Sequence, residues 1–460
     1  MHRGYVRGCA VFSALIRAEK PQYFGPRTVP ASWRCEPLRP RMRNPMKGAA
    51  PVYIDHISLL DYRTYALLSL PLSAGVTVFL GSNGVGKTNI VEAIDYAASL
   101  SSHRVSHDGP LVRAGASRAY IRTRTVRGSQ QTVTEFEIAP GQSNRVRINR
   151  AAPVRAKEAL GIARTVLFSP EDLQLVKGDP AGRRRFVDDL ASSLRPVVSG
   201  YRSEYERILR QRNSLLKSMQ RKARDENALS TLSVWDEQLS TLGAQLLSAR
   251  FRLLQRFLPQ LRRAYAGLTD GSKEVGFNYE STVFSSMGER SIEHAALMRI
   301  EDLKEALMRG FAERRRDEIE RGVTLVGPHR EDITLLLGGM PVKHFASHGE
   351  SWSFALALKL ASWFVHVEDD SSAGSSPILI LDDVFAELDS ARRHRLGVMV
   401  ADAEQVLITC AVLSDIPEEL GDYRLVSVTV GHAEYVQPAA TSVDSEGLTA
   451  SALAEGDGDE

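Results

Sequence analysis

Residues 75–100 read GVTVFLGSNGVGKTNIVEAIDYAASL, and the hydrophobic period changes inside them. Gly75 to Leu80 is a β-branched run of strand type. Ile90 to Leu100 carries apolar residues at helical spacing. Between the two, Gly81, Ser82, Asn83, Gly84, Val85, Gly86, Lys87 and Thr88 fit G-x-x-x-x-G-K-[ST] without a gap. The glycines allow the backbone to curl so that successive N–H groups face phosphate oxygens, and the helix start adds partial positive charge. Lys87 is expected on the β- and γ-phosphates of ATP and Thr88 on Mg²⁺. A Gly-rich turn with a surface lysine is the competing explanation, and the flanking strand and helix weigh against it.

Outward from this loop, Val52 to Leu60 reads as a further strand, and Thr132 to Ile138 and Arg145 to Ile148 alternate as in a sheet. From Arg195 to Leu268 the pattern is helical. Trp235, Leu239, Leu242, Leu246, Ala249, Leu253 and Phe257 form one stripe, faced by Tyr205, Leu209, Leu216 and Met219. That pattern fits an antiparallel arm and a plain helical core equally well. The α/β pattern then returns, with strands expected at Val323 to Val326, Pro377 to Leu381 and Val406 to Thr409, and a helix at Ser353 to Val367. One α/β head, residues 52–190 and 320–437, is therefore expected to be split by a helical insertion, 191–319.

The apolar run Ile378 to Leu381 ends in Asp382 and Asp383, at the strand edge where open α/β sheets bind nucleotides. Asp382 suits the Mg²⁺ shell; Asp383 suits the position that orients or deprotonates attacking water. Nearly three hundred residues separate Lys87 from Asp382, more than a compact kinase or small GTPase uses. Ser347, Gly349 and Glu350 lie one helix before Asp382, where transporter-type and SMC-type ATPases carry a Ser-x-Gly loop that caps the γ-phosphate of the opposing subunit. The expected fold is thus an α/β P-loop head of ABC/SMC type with an inserted helical arm.

The formal charge of +2 conceals a segregation. Residues 1–51 hold ten Lys or Arg against Glu19 and Glu36, leaving 48 basic and 54 acidic residues for the rest. Nucleic-acid binding therefore has to come from a local patch. The basic, Pro-rich first 51 residues read as an extension or a mis-called start, and residues 438–460 as an acidic disordered tail. Cys9, Cys35 and Cys410 make neither a disulfide framework nor a metal-ligand spacing, which points to a reducing cytoplasm. The longest apolar stretch, Phe354 to Val367, is shorter than the roughly 20 residues of a membrane span and contains Lys359.

Over Val52 to about Tyr435 the chain resembles the bacterial RecF family. The matching blocks are YIDHISLLDYRTY (53–65), the phosphate loop with Asn89 to Ile94, Ser101 to Val105, LFSPEDLQLVKGDPAGRRRFVDDL (167–190), QRNSLLK (211–217), GPHRED (327–332), Leu356 to Ala361 and ILILDDVFAELD (378–389). The resemblance implies an ATP-induced homodimer that binds single-stranded DNA, gaps and single-strand to double-strand junctions, works with RecO and RecR in loading recombinase, and supports the SOS response. Slow, DNA-dependent ATP hydrolysis would reset it. Where the family reads S-Q-G-E-Q-R-S-L, this chain has Ser347, His348, Gly349, Glu350, Ser351, Trp352, Ser353 and Phe354. ATP binding is expected to be intact, with trans-engagement or hydrolysis altered. Glu331 replaces a usual aspartate, and no histidine follows Thr409, where transporter ATPases carry a switch histidine.

Arg183, Arg184 and Arg185 form a basic step, and the arm adds Arg202, Arg207, Arg210, Arg212, Lys217, Arg221, Lys222 and Arg224 as candidate phosphate contacts. The alternative is a solvated helix face with ion pairs to Glu204, Glu206 and Asp225. Other function classes are a scaffold that binds ATP with little turnover, another SMC-like repair ATPase, and a transporter-type subunit; the arm and the missing histidine weigh against the last.

Overall fold

The computed structural model describes residues 51–436 apart from 222–225, 272, 285–287 and 370–375. The expectations for the N-terminal extension, the acidic tail, Lys222, Arg224 and Asp225 lie outside the described residues.

Two sheets build the head. A mixed sheet runs β15-β14-β3-β13-β12-β8, formed by β3 (Gly75–Leu80), β8 (Thr165–Phe168), β12 (Ile378–Asp382), β13 (Gln405–Cys410), β14 (Tyr423–Thr429) and β15 (His432–Tyr435). Its strands are parallel except β15, which pairs antiparallel with β14. The second sheet is antiparallel, in the order β2-β1-β4-β5-β6-β7. Its strands are β1 (Val52–Tyr62), β2 (Tyr65–Pro71), β4 (Ala119–Arg127), β5 (Gln130–Ile138), β6 (Arg145–Ile148) and β7 (Val154–Arg155).

Successive residues of the parallel strands serve two different cores, which explains their unbroken apolar runs. Val78, Leu379, Leu381, Val406 and Ile408 join the core shared with the helical lobe. Phe79, Ile378, Ile380 and Leu407 join the core under the antiparallel sheet and helix α1 (Lys87–Ser99).

The insertion is built on α2 (Pro180–Leu194), α3 (Val197–Arg221), α4 (Glu226–Leu268) and α5 (Ile300–Arg321). At 1.5 Å per residue, α4 is about 65 Å long. The helix serves two surfaces along its length. Its first half packs against α3 and α5, with Arg212 of α3 bound to Asp236. Its second half walls the head, with the Tyr265 ring tilted against Phe354 of α6 (His348–Asp369) at 5.9 Å and Arg256 paired with Asp369.

Two expectations need correction. Residues 323–326 form no strand, because side chains take their backbone partners. The Thr324 amide donates to Asn213 Oδ1 at 2.8 Å, the Leu325 amide to Glu318 Oε1 at 2.7 Å, and the Thr324 carbonyl accepts from Arg330 Nε at 3.0 Å. Residues 332–341, assigned by sequence to the head, belong to the inserted lobe instead. There β10 (Asp332–Leu337) pairs with β9 (Val275–Glu280) and β11 (Met340–Pro341) in a separate three-stranded sheet. Among the described residues no helix is long and apolar enough to cross a membrane.

Candidate nucleotide-binding site

The loop from β3 to α1 is shaped by glycines at the points where a side chain has no room. Gly84 and Gly86 adopt φ of 84° and 114°, in the left-handed region. A Cβ on Gly81 would lie 2.4 Å from the Val428 carbonyl oxygen of β14, and one on Gly86 would lie 2.9 Å from Thr64 Oγ1. Tyr65 donates its hydroxyl to the Gly86 carbonyl at 3.1 Å, pinning the loop to the antiparallel sheet. Ser82, Asn83 and Gly84 form the exposed crest, and Val85 tucks beneath Gly81.

Lys87 is buried at 3% exposure and folds back over this crest. Its Nζ donates to the carbonyls of Gly81 (2.9 Å) and Ser82 (3.2 Å) and to Asn83 Oδ1 (3.4 Å). An ammonium held by neutral carbonyls has full charge to offer phosphate oxygens, to which charge-assisted bonds are stronger.

Thr88 and Asp382, 294 residues apart, meet as the two motifs predict: Thr88 Oγ1 donates to Asp382 Oδ1 at 3.0 Å. Thr409 Oγ1 donates to the same oxygen at 2.6 Å and accepts from the Asp383 amide at 2.9 Å. Burial pushes the Asp382 carboxyl up to about 6, against the opposing hydrogen bonds of Thr409 and Thr88 and with a further push from Asp383. A buried carboxylate whose hydrogen-bond partners are hydroxyls is short of positive charge. With Thr88 it offers the hard oxygen donors that Mg²⁺ takes, with phosphate and water completing its shell. Among the described residues no cluster of three or more His, Cys, Asp or Glu would hold a metal unaided.

Asp383 sits at φ 52°, a left-handed conformation uncommon for a non-glycine residue. The neighbouring strand supports it through Thr409. Such outliers concentrate at functional sites.

Sequence reasoning missed a polar buttress behind α1. Glu92 is fully buried and bound by Arg63 through two contacts of 2.6 and 2.9 Å and by Ser102 at 2.6 Å, with Arg104 at 3.6 Å. Asn89 bridges Thr64 and Arg104. The signal was a charged residue, Glu92, on an otherwise apolar helix face beside the loop.

The Ser347 loop is a capping box at the start of α6. The Ser347 amide donates to Glu350 Oε2 at 2.8 Å, and the Glu350 amide returns to Ser347 Oγ at 3.2 Å. Lys273 of the inserted lobe pairs with Glu350, and that hydrogen bond, with those from Ser347, draws its carboxyl down to about 2. Gly349 leaves space for the Arg392 guanidinium, 3.1 Å from where a Cβ would stand. Ser347 and His348 are exposed, whereas Trp352 and Phe354 are buried in the core. Two of the departures from the family pattern, Trp352 and Phe354, therefore point inward. Among the described residues no hydrogen bond joins residues 347–350 to the phosphate loop of the same chain.

The proposed basic step is held internally at two of its three arginines, and the burial of Arg183 removes that residue as a DNA contact. Arg183 is buried and grips Asp332 with bonds of 2.8 and 3.0 Å. Arg184 donates to the Glu331 carbonyl at 2.6 Å, and Arg185 alone of the three is exposed. In the arm, Arg212 is fully buried between Asp236 and Glu318, at 2.7 and 2.6 Å. Arg202 and Arg207 pair with Glu206 and Glu204, leaving Arg210 and Lys217 exposed.

Comparison with known proteins agrees with this geometry. The family described as RecF/RecN/SMC N terminal domain matches residues 53–420. DNA replication and repair protein RecF of Renibacterium salmoninarum is 52% identical over 394 residues, covering 83% of this chain and 99% of the relative. RecF of Pseudarthrobacter chlorophenolicus is 51% identical over 396 residues, covering 83% and 98%. A solved structure of the recombination mediator protein RecF with ATP, in the RecFOR pathway, superposes with a TM-score of 0.75 at 25% identity. It covers 85% of this chain and 99% of that one.

Proposed function

Since the chain belongs to the RecF family, we propose that it is an ATP-dependent DNA-binding protein of recombinational repair and replication restart. In this reading it closes as an ATP-induced dimer on single-stranded DNA, gaps and single-strand to double-strand junctions. It acts in the cytoplasm with RecO and RecR to load recombinase, and its activity supports the SOS response. The observation that carries the reading is the contact of Thr88 with Asp382, which joins the phosphate loop to the acidic strand end in one chain.

Each residue has a task in that reading. The amides of Gly84 to Thr88 cradle the phosphates, and Lys87 exchanges loop carbonyls for phosphate oxygens. Thr88 and Asp382 hold Mg²⁺, which would neutralise phosphate charge when bound. Asp383 orients the attacking water and accepts its proton. Ser347, Gly349 and Glu350 contact nucleotide held by the second subunit. There Ser347 Oγ, which accepts the Glu350 amide in the cap, is the hydroxyl offered to that nucleotide.

The test is DNA binding on a gapped duplex by fluorescence anisotropy, with and without ATP and Mg²⁺. ATP should tighten binding, and Lys87→Ala should abolish that gain by removing the cation that meets the phosphates. Affinity indifferent to ATP would sink the clamp mechanism. A second reading, a scaffold that binds ATP with little hydrolysis, is favoured by the exposed His348 in the altered loop. Turnover that rises with DNA and falls on mixing with Ser347→Arg subunits would exclude it.

A further inference from the structure

With Arg183, Arg184 and Arg212 engaged internally, we infer that the β6–β7 hairpin of the antiparallel sheet grips the DNA phosphate backbone. This rests on the proposed DNA-binding function and names a surface for it. The segment from Arg145 to Lys157 carries Arg145, Arg147, Arg150, Arg155 and Lys157 and no acidic residue. All but Arg147 are exposed.

Two features of this hairpin cost stability in the free protein. Arg145 stands directly opposite Arg155 in the antiparallel ladder, and like charges in that relation are destabilising. Across the next strand Arg145 faces Glu137, which is also bound by Arg118. The connection, residues 149–153, opens with a tight turn closed by the Ala151 amide on the Ile148 carbonyl at 2.9 Å, with Asn149 and Arg150 at φ 50° and 66°. Turns with two positive φ values strongly favour Asn-Gly. Here the second place holds an arginine, at the tip, projecting charge where glycine would relieve strain.

Protection of a sheet edge against pairing accounts for a charge on β7, since any charge serves there. It does not account for an arginine in the left-handed tip. A polyanion lying along the hairpin accounts for both, because phosphates placed between Arg145 and Arg155 and beside Arg150 turn repulsion into attraction. Lys157 donates to Ser203 of α3 at 2.8 Å, so the hairpin is braced against the base of the arm, whose Arg210 and Lys217 are exposed. Contacts of this kind carry affinity without reading bases.

The experiment measures DNA affinity of the full chain with ATP and Mg²⁺ across a salt series, for wild type, Arg150→Gly and Arg155→Thr. Each substitution should weaken binding by about three- to tenfold near 0.1 M salt and make the slope of log affinity against log salt shallower by about 0.7–0.9. ATP binding should be unchanged. Arg150→Gly should at the same time keep or raise the melting temperature, which separates a lost contact from a damaged fold. Unchanged affinity and slope in both variants, with wild type binding normally, overturns the hairpin and leaves the ATP-gated clamp standing. Wild type that ignores DNA with ATP present overturns both.

Discussion

Asp382 is held where its charge is least welcome to the free protein. Its carboxyl titrates near 6 in the fold, against about 3.9 in an unfolded chain. Between these values the native state binds more protons than the unfolded one, so this group's contribution to stability falls as pH rises and is fully unfavourable above 6. Asp382→Asn keeps an oxygen for the Thr88 and Thr409 hydroxyls and removes the charge. It should stabilise the nucleotide-free protein at pH 7.5 by on the order of 2 kcal/mol, with the gain gone by pH 4. Calorimetry of variant and wild type at both pH values checks this, and an equal gain at both would disprove the charge argument. The buried His329 and His366, each pushed down to about 3 by burial, destabilise the fold as pH drops below 6.5. Both proteins carry them, so they cancel in the difference.

At the scale of elements, α6 starts on a box whose two halves are separable. Glu350→Gln retains an acceptor for the Ser347 amide and should unfold in urea near the wild-type midpoint. Glu350→Ala removes it and should cost about 0.5–2 kcal/mol. The partly exposed Lys273 contact should add less than about 1 kcal/mol, so Lys273→Met should behave like Glu350→Gln; a large loss would show that the ion pair, not the cap, fixes the loop. The strand, loop and helix of residues 75–100 were legible because a change of period and a spaced set of glycines are local signals. So was β12, which ends in Asp382. Residues 323–326 were misread because β-branching suggests a strand, while the partners of Thr324 lie more than a hundred residues upstream in Asn213 and Arg212. Arg183 and Arg212 failed for the same reason: an arginine's composition is public, but Asp332 and Glu318, which bury it, become neighbours only after folding.

On the scale of the whole molecule, the inserted lobe is tied together around a buried cation. Arg250 of α4 holds Asp188 of α2 through bonds of 2.7 and 2.9 Å and the Pro328 carbonyl at 2.7 Å, with Glu331 at 3.8 Å. Glu331 itself accepts from Tyr279 of β9 and Ser281. Arg250→Met should cost about 3–5 kcal/mol, since buried carboxylates lose their counter-charge. Hydrogen exchange should accelerate in residues 180–194 and 327–337 while the phosphate loop stays protected. Uniform acceleration would mean that the lobes do not open separately. The strand order of the head also sets a timetable for synthesis. β3 and its loop leave the ribosome early, yet both of its sheet neighbours, β13 and β14, lie near the other end of the chain. At 5–20 residues per second the nascent β3 waits on the order of tens of seconds for them. The inserted lobe is complete well before, so a stalled or shortened translation product carries a finished lobe beside a bare, aggregation-prone strand.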